Sequence, residues 1–243
     1  IIVCNLKKIG YFNIMLDKKN FYINGKWVSP IEPRSYQVID PSSEEPCAEI
    51  SLGGKKDVDK AVSAAKKAFE SWAFTKKEER LELLEKLYVI YKKRWAEMAK
   101  LISLEMGAPI KFSTEMQAAT GAGHIKSFKQ ILKDFKFEKD LGEEKNNQKL
   151  LYEPKGVCAL ITPWNWPINQ VNLKVIPALA SACTVVLKPS EIAPLSSMLL
   201  AEMIDEAKFP SGVFNLLNGD GAITGNALTS HPDINMISFT GST

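Results

Sequence analysis

Gly156-Val157-Cys158-Ala159-Leu160-Ile161-Thr162-Pro163-Trp164-Asn165-Trp166-Pro167 changes character halfway along. Its first half is an unbroken apolar run after a glycine, the mark of a strand buried on both faces. Its second half sets two prolines and two tryptophans around one asparagine. Pro163 and Pro167 fix φ and remove two backbone donors, so the strand must leave in a stiff turn. A strand end that turns into a helix is where open α/β sheets bind ligands. Asn165 stands between two large rings, which predicts an amide with few rotamers, held in a dry turn and aimed at one spot.

Downstream, strand and helix patterns alternate. An apolar-periodic helix runs from about Ile168 to Ser181, and Thr184 to Leu187 reads as a buried strand. Pro194 to Ala207 is a helix, Val213 to Leu217 a strand, Ala222 to Thr229 a short helix and Asn235 to Phe239 a strand. This order calls for a parallel sheet covered by helices, with right-handed crossovers. The fold class is therefore α/β: a Rossmann-like parallel sheet from about residue 150, with N-terminal hairpins and helices packed around it.

Upstream the pattern differs. Phe21 to Val28 is two short β runs around Asn24-Gly25, a strong hairpin dipeptide. Tyr36 to Ile39 and Cys47 to Ile50 bracket a second turn at Asp40-Pro41-Ser42-Ser43. Val58, Ala61, Val62, Ala65, Ala68 and Phe69 form one stripe of a helix from Lys55 to Trp72. Thr75, with Glu78 three residues on, predicts a capping box for the next helix, and Gly107 its C-cap. Pro109 to Phe135 reads as a third helical region, loosened at Gly121 and Gly123. Asp134 to Gln148 has no apolar period and reads as a surface connection, with a strand at Lys149 to Glu153. Residues 1–14 begin at Ile1 and read as an extension without a role in the fold, since Met15 opens a sensible start.

Composition excludes several classes. Of 243 residues, 45% are hydrophobic and 24% charged, ordinary for a globular protein. A net charge of +3 with dispersed lysines gives no basic patch for nucleic acid. No apolar run approaches the ~20 residues of a membrane helix. Cys4, Cys47, Cys158 and Cys183 lack C-x-x-C spacing, and His124 and His231 match no zinc pattern, so no metal site is expected. Buried free thiols in a reducing compartment, the cytoplasm, follow.

Three motifs, in order and at compatible spacing, carry a resemblance. Pro163-Trp164-Asn165-Trp166-Pro167, Lys188-Pro189-Ser190-Glu191 and Phe239-Thr240-Gly241-Ser242-Thr243 resemble motifs of the aldehyde dehydrogenase superfamily. The similarity runs from about Phe21 to the last residue. It implies NAD(P)-dependent oxidation of an aldehyde to a carboxylic acid through a cysteine thioester. It implies that Asn165 is the catalytic donor to the oxyanion, a task an amide fits. It implies cofactor contacts from Ile161, Thr162, Pro163, Trp164, Lys188, Ser190, Glu191, Gly221, Gly225, Phe239, Gly241 and Ser242. Lys188 and Glu191 would bond the adenosine ribose, and a carboxylate there favours NAD over NADP. Gly219-Asp220-Gly221-Ala222-Ile223-Thr224-Gly225 is not a G-x-G-x-x-G fingerprint, because its third glycine is one place late and it follows the third strand. Its glycines suit a close backbone approach on the adenine side; a plain helix-entry turn fits Gly225 equally well.

In that family the nucleophilic cysteine and the general-base glutamate both follow the Phe-Thr-Gly-Ser-Thr motif. The expected organisation is thus a cofactor domain over 15–243, with hairpins and helices to 149 and the Rossmann-like part from 150, and without the catalytic domain. This implies an incomplete aldehyde dehydrogenase fold, inactive by itself, from a full-length homodimer or homotetramer acting on a small aldehyde. The alternatives are a non-catalytic nucleotide-binding fragment and a semialdehyde or CoA-acylating relative.

Overall fold

A computed structural model describes residues 15–141 and 148–242. The extension read at 1–14, with Cys4, and the middle of the charged connection lie outside the described residues. The chain opens with strands β1 (Leu16–Lys18), β2 (Phe21–Ile23), β3 (Lys26–Val28), β4 (Ser35–Asp40) and β5 (Glu45–Ser51). Helices α1 (Lys55–Trp72), α2 (Lys77–Lys93), α3 (Trp95–Met106), α4 (Ile110–Phe112) and α5 (Ala118–Asp134) follow. A small hairpin, β6 (Glu138–Asp140) and β7 (Lys149–Leu151), leads into β8 (Val157–Ile161), α6 (Pro167–Ala180), β9 (Thr184–Lys188) and α7 (Leu195–Glu206). The last elements are β10 (Phe214–Leu216), α8 (Asn226–Thr229) and β11 (Met236–Phe239).

The main sheet has the order β11-β8-β9-β10-β2-β3. Its first four strands are parallel, as the alternation requires, and β2 joins β10 antiparallel. The Rossmann-like part is therefore wider than residues 150–243, because the Asn24-Gly25 hairpin extends its sheet. The second hairpin, β4–β5, forms a separate sheet with β1.

Alternation in the strands divides the core between two faces. Val157, Ala159 and Val186 pack with Val58, Ala61, Val62 and Ala65 of α1 on one face. Cys158, Leu160, Val185 and Leu187 point to the other, under α6 and α7 and the helices beyond them. All ten residues of β8 and β9 are buried, the signature of a doubly covered parallel sheet. The start of α7 is capped from a distance: the fully buried Glu105 carboxylate accepts from the Leu195 and Ser196 N–H groups. Burial pushes its pKa up to about 7, against the backbone hydrogen bonds that favour its charge.

Three local expectations are corrected. Lys76 rather than Thr75 precedes α2, because the Thr75 hydroxyl is spent on the Trp72 carbonyl, so no capping box forms. Glu138–Asp140 pairs with Lys149–Leu151 as a strand inside the charged connection. The third helical region loosens at Ser113–Gln117, where the backbone widens into a π-turn, and not at its glycines. Gly107 takes the left-handed C-cap conformation expected of it, with φ 75°, but the stretch from Lys77 that it ends is divided at Arg94 into α2 and α3.

Gly121 and Gly123 both sit in α5 but serve opposite purposes. A Cβ on Gly121 would overlap the Tyr91 hydroxyl and meet Ile168 Cγ1 at 3.0 Å, while one on Gly123 meets nothing within 4 Å. Gly121→Ala should cost about 1–3 kcal/mol, since overpacking exceeds the ~1 kcal/mol that alanine gains in a helix. Gly123→Ala should stabilise by about 0.5–1 kcal/mol. Urea midpoints for the pair should move in opposite directions; a common direction would refute the packing role of Gly121.

Candidate cofactor and active site

Parallel register brings three strand ends level. Ile161 stands opposite Lys188 on one side and Phe239 on the other. The ladder continues past them, with Thr162 N–H donating to the Lys188 carbonyl at 3.3 Å and Thr240 N–H to the Ile161 carbonyl at 3.1 Å. A cavity of about 480 Å³ opens at this edge. It is lined by Ile161, Thr162, Pro163, Trp164 and Asn165 after β8, and by Lys188, Ser190 and Glu191 after β9. Gly221 lines it after β10, and Phe239, Gly241 and Ser242 after β11.

The walls are held by named bonds. Lys188 is 3% exposed, and its ammonium donates to the carbonyls of Pro189 and Gly219, with Glu191 Oε2 at 3.5 Å. Burial lowers its pKa; the charge of Glu191 works the other way. Its donors are thus occupied within the protein, and Glu191, with a quarter of its side chain exposed, is the more open member of the pair. The turn after β10 is anchored from outside. Asp220 accepts from the Ile223 and Thr224 N–H groups at 2.7 and 3.3 Å and from Arg34 Nη1 at 2.6 Å. Arg34 also donates to the Gly53 carbonyl at 2.8 Å, which receives the Thr224 hydroxyl as well. Burial opposes the Asp220 charge, but the Ile223 amide and Arg34 outweigh it and hold the carboxyl below its ordinary pKa.

Two expectations fail in detail. Asn165 is exposed at the cavity rim rather than locked in a dry turn. The two rings do not sandwich it: Trp164 faces out at 48% exposure, and Trp166 packs edge-on against Phe112 with centroids 5.5 Å apart. Gly225 is buried inside the π-turn Gly221–Gly225 and does not line the cavity, which matches the helix-entry reading. The glycine with no room for a side chain is Gly219, where a Cβ would overlap Thr224. A Cβ on Gly221 would meet nothing within 4 Å, so this backbone presents an open surface to the cavity.

Sequence reasoning also missed residues. Thr240 lines the cavity between two motif residues that were named, and Gln170 does so one turn into α6. Arg34 carried no signal, because its partner Asp220 lies 186 residues away. Among the described residues no group of three His, Cys, Asp or Glu is arranged to hold a metal ion. No described helix is long and apolar enough to cross a membrane.

The cavity has the polarity a nucleotide needs. The buried Thr162 hydroxyl, which lines it, has no hydrogen-bond partner within the protein. Buried hydroxyls are nearly always bonded, so Thr162 leaves one polar atom in this wall without a partner in the protein. Open glycine backbone, a carboxylate and hydroxyls complete a set that fits ribose and phosphate.

Comparison with known proteins shows the family. Residues 27–243 match the model of the aldehyde dehydrogenase family, and the chain belongs to that family. It is 50% identical over 230 residues to a 3-succinoylsemialdehyde-pyridine dehydrogenase of a Pseudomonas species, covering 94% of this chain and 47% of that protein. An aldehyde dehydrogenase from Bartonella henselae superposes with a TM-score of 0.92 at 59% identity, over 94% of this chain and 48% of its own. A cysteine-to-alanine variant of aldehyde dehydrogenase C from Pseudomonas syringae, solved with NAD+ and octanal, gives a TM-score of 0.87 at 44% identity, over 90% and 44% of the two chains. The chain spans about half the length of the relatives it matches.

The Arg34–Asp220 anchor makes a direct prediction. Arg34→Ala should lower stability by about 1–2 kcal/mol, the range of a charge-assisted hydrogen bond discounted for partial exposure. Arg34→Lys should recover less than half, because an ammonium cannot serve both acceptors with a planar fork. Denaturant midpoints unchanged in Arg34→Ala would show the anchor to be idle.

Proposed function

We propose that this chain works as the cofactor-holding half of an NAD-dependent aldehyde dehydrogenase. The observation that carries the reading is the single cavity that joins Asn165 to the Lys188–Glu191 pair at the level ends of β8 and β9. Glu191 accepts from a ribose hydroxyl, with Lys188 fixing its carboxylate from behind. Thr162, Ser190 and Ser242 provide hydroxyls along the cavity, and Ile161, Pro163 and Trp164 form its wall above β8. Phe239, Gly241 and Gly221 bring ring and backbone close to the remaining cofactor surface. NAD, when bound, supplies the hydride acceptor. Asn165 donates its amide N–H to the oxygen that becomes negative as the aldehyde carbonyl is attacked, and it does so more strongly in the transition state than before.

The attacking cysteine and the base come from outside residues 15–242. None of Cys47, Cys158 and Cys183 lines the cavity, which also supports a second reading: these residues alone bind nucleotide without turnover. The name of the Pseudomonas relative makes semialdehydes the first substrates to test. Buried free thiols fit the reducing cytoplasm. Exposed Leu150, Leu151 and Tyr152 on and after β7 support assembly of copies into a dimer or tetramer.

Two measurements test the reading. A 2′-phosphate at Glu191 would meet a carboxylate, so calorimetry should find NAD bound more tightly than NADP, and Glu191→Ser should narrow the difference. Equal affinities in the wild type would contradict the assignment. In the full-length protein, Asn165→Ala should lower kcat by roughly 10²–10³ with cofactor affinity unchanged. Turnover close to wild type would make Asn165 a structural residue.

A further inference from the structure

Glu105, the penultimate residue of α3, is fully buried and lines no part of the site described above. Its carboxylate accepts from the Leu195 N–H through Oε2 and from the Ser196 N–H at 3.1 Å through Oε1. These are the first two residues of α7. A helix start leaves N–H groups without partners, and a Ser, Thr, Asp or Asn at the N-cap ordinarily takes one of them. α7 lacks that device: its N-cap is Pro194, no side chain caps it locally, and its first turn carries no acidic residue. The acceptor therefore comes from 90 residues away, and a carboxylate suits the positive end of the helix dipole.

The carboxylate is itself held in place. α3 ends one residue later and is capped by Gly107, where a Cβ would meet Pro41 Cβ at 3.0 Å. The Ser103 hydroxyl donates to the Ala108 carbonyl at 2.7 Å and closes the same end. Glu105 thus ties a packed helix end to the start of α7. Between α7 and the sheet run residues 189–194, which carry Ser190 and Glu191 of the cavity lining. Their sheet end is tied by Lys188, which donates to the Pro189 carbonyl at 3.1 Å and stands 3.5 Å from Glu191 Oε2. Inside the segment, the Ile192 N–H donates to the Ser190 hydroxyl and the Ala193 N–H to the Ser190 carbonyl, both at 3.3 Å. Pro189 and Pro194 stiffen its two ends. A connection this short and stiff takes its path from its two attachments, and Glu105 is the second of them.

We propose that Glu105 is a positioning residue for the cofactor site: by anchoring the start of α7 it sets the Glu191 carboxylate against the ribose. This role presupposes NAD as the cofactor, as proposed above. It gives Glu105 a part in cofactor discrimination and not in stability alone. A displaced Glu191 accepts poorly from a 2′-hydroxyl and repels a 2′-phosphate less, so the preference for NAD over NADP shrinks when the anchor is weakened.

Glu105→Gln keeps the shape but leaves one acceptor oxygen for two N–H groups. Calorimetry of the chain with NAD and with NADP should find the NAD-to-NADP affinity ratio lowered roughly threefold to tenfold, the worth of one hydrogen bond. In the Glu191→Ser background the same substitution should leave the ratio unchanged, because the group it positions is gone. A purely structural Glu105 would lower the urea midpoint and leave the ratio alone in both backgrounds. The wild type supplies a readout that needs no variant to fold. Saturating NAD should slow amide exchange at Leu195 and Ser196, though less than at 188–191, since coupling between the cap and the cofactor is reciprocal. A ratio unmoved by Glu105→Gln while Glu191→Ser narrows it would overturn the role of Glu105 and leave the NAD reading standing. Exchange at Leu195 and Ser196 indifferent to bound NAD would do the same. Equal wild-type affinities for NAD and NADP would overturn both.

Discussion

The site depends on the register of a parallel sheet. Ile161 opposite both Lys188 and Phe239 means that three connections leave the sheet at one level. A shift of one residue would turn Val157 and Ala159 from α1 to α6, exchanging the side chains of both cores. The register is therefore enforced by two buried faces at once, and the cavity inherits that rigidity. Lys188 shows the coupling most directly. As the last residue of β9 it is buried in the sheet end, yet its ammonium ties the turn at Gly219 and the carboxylate of Glu191 into one wall.

Rigid placement at the sheet edge contrasts with what surrounds Asn165. Its amide stands at an exposed rim beside an outward-facing Trp164. A donor that acts on an oxyanion is strongest where water is excluded. The relatives are about twice as long as this chain, and surface contributed by the rest of such a protein would supply that exclusion.

Much of this was legible in the chain. Buried strands and periodic helices declared themselves because burial on both faces leaves uninterrupted apolar runs, and because α1 carries one apolar stripe. Eleven of the twelve expected cofactor residues, with Asn165, line one cavity, since each lies where a strand ends. What was not legible was non-local. Nothing in Phe21 to Val28 says that the hairpin edges onto β10, and nothing in Arg34 points to Asp220. Gly219 and Gly225 look alike in sequence, yet only the space beside each decides which must be glycine. Thr75 has the spacing of a cap but a nearer acceptor in the Trp72 carbonyl. Trp164 and Trp166 diverge because Phe112, more than fifty residues earlier, offers a packing partner to one of them only.

The central claim is that the ends of β8, β9 and β11 and the turn after β10 make one nucleotide site. Amide hydrogen exchange with and without saturating NAD tests it most directly. Protection should concentrate in residues 161–165, 188–191, 219–222 and 239–242. Protection confined to other segments, or none at a concentration that saturates binding, would contradict the account.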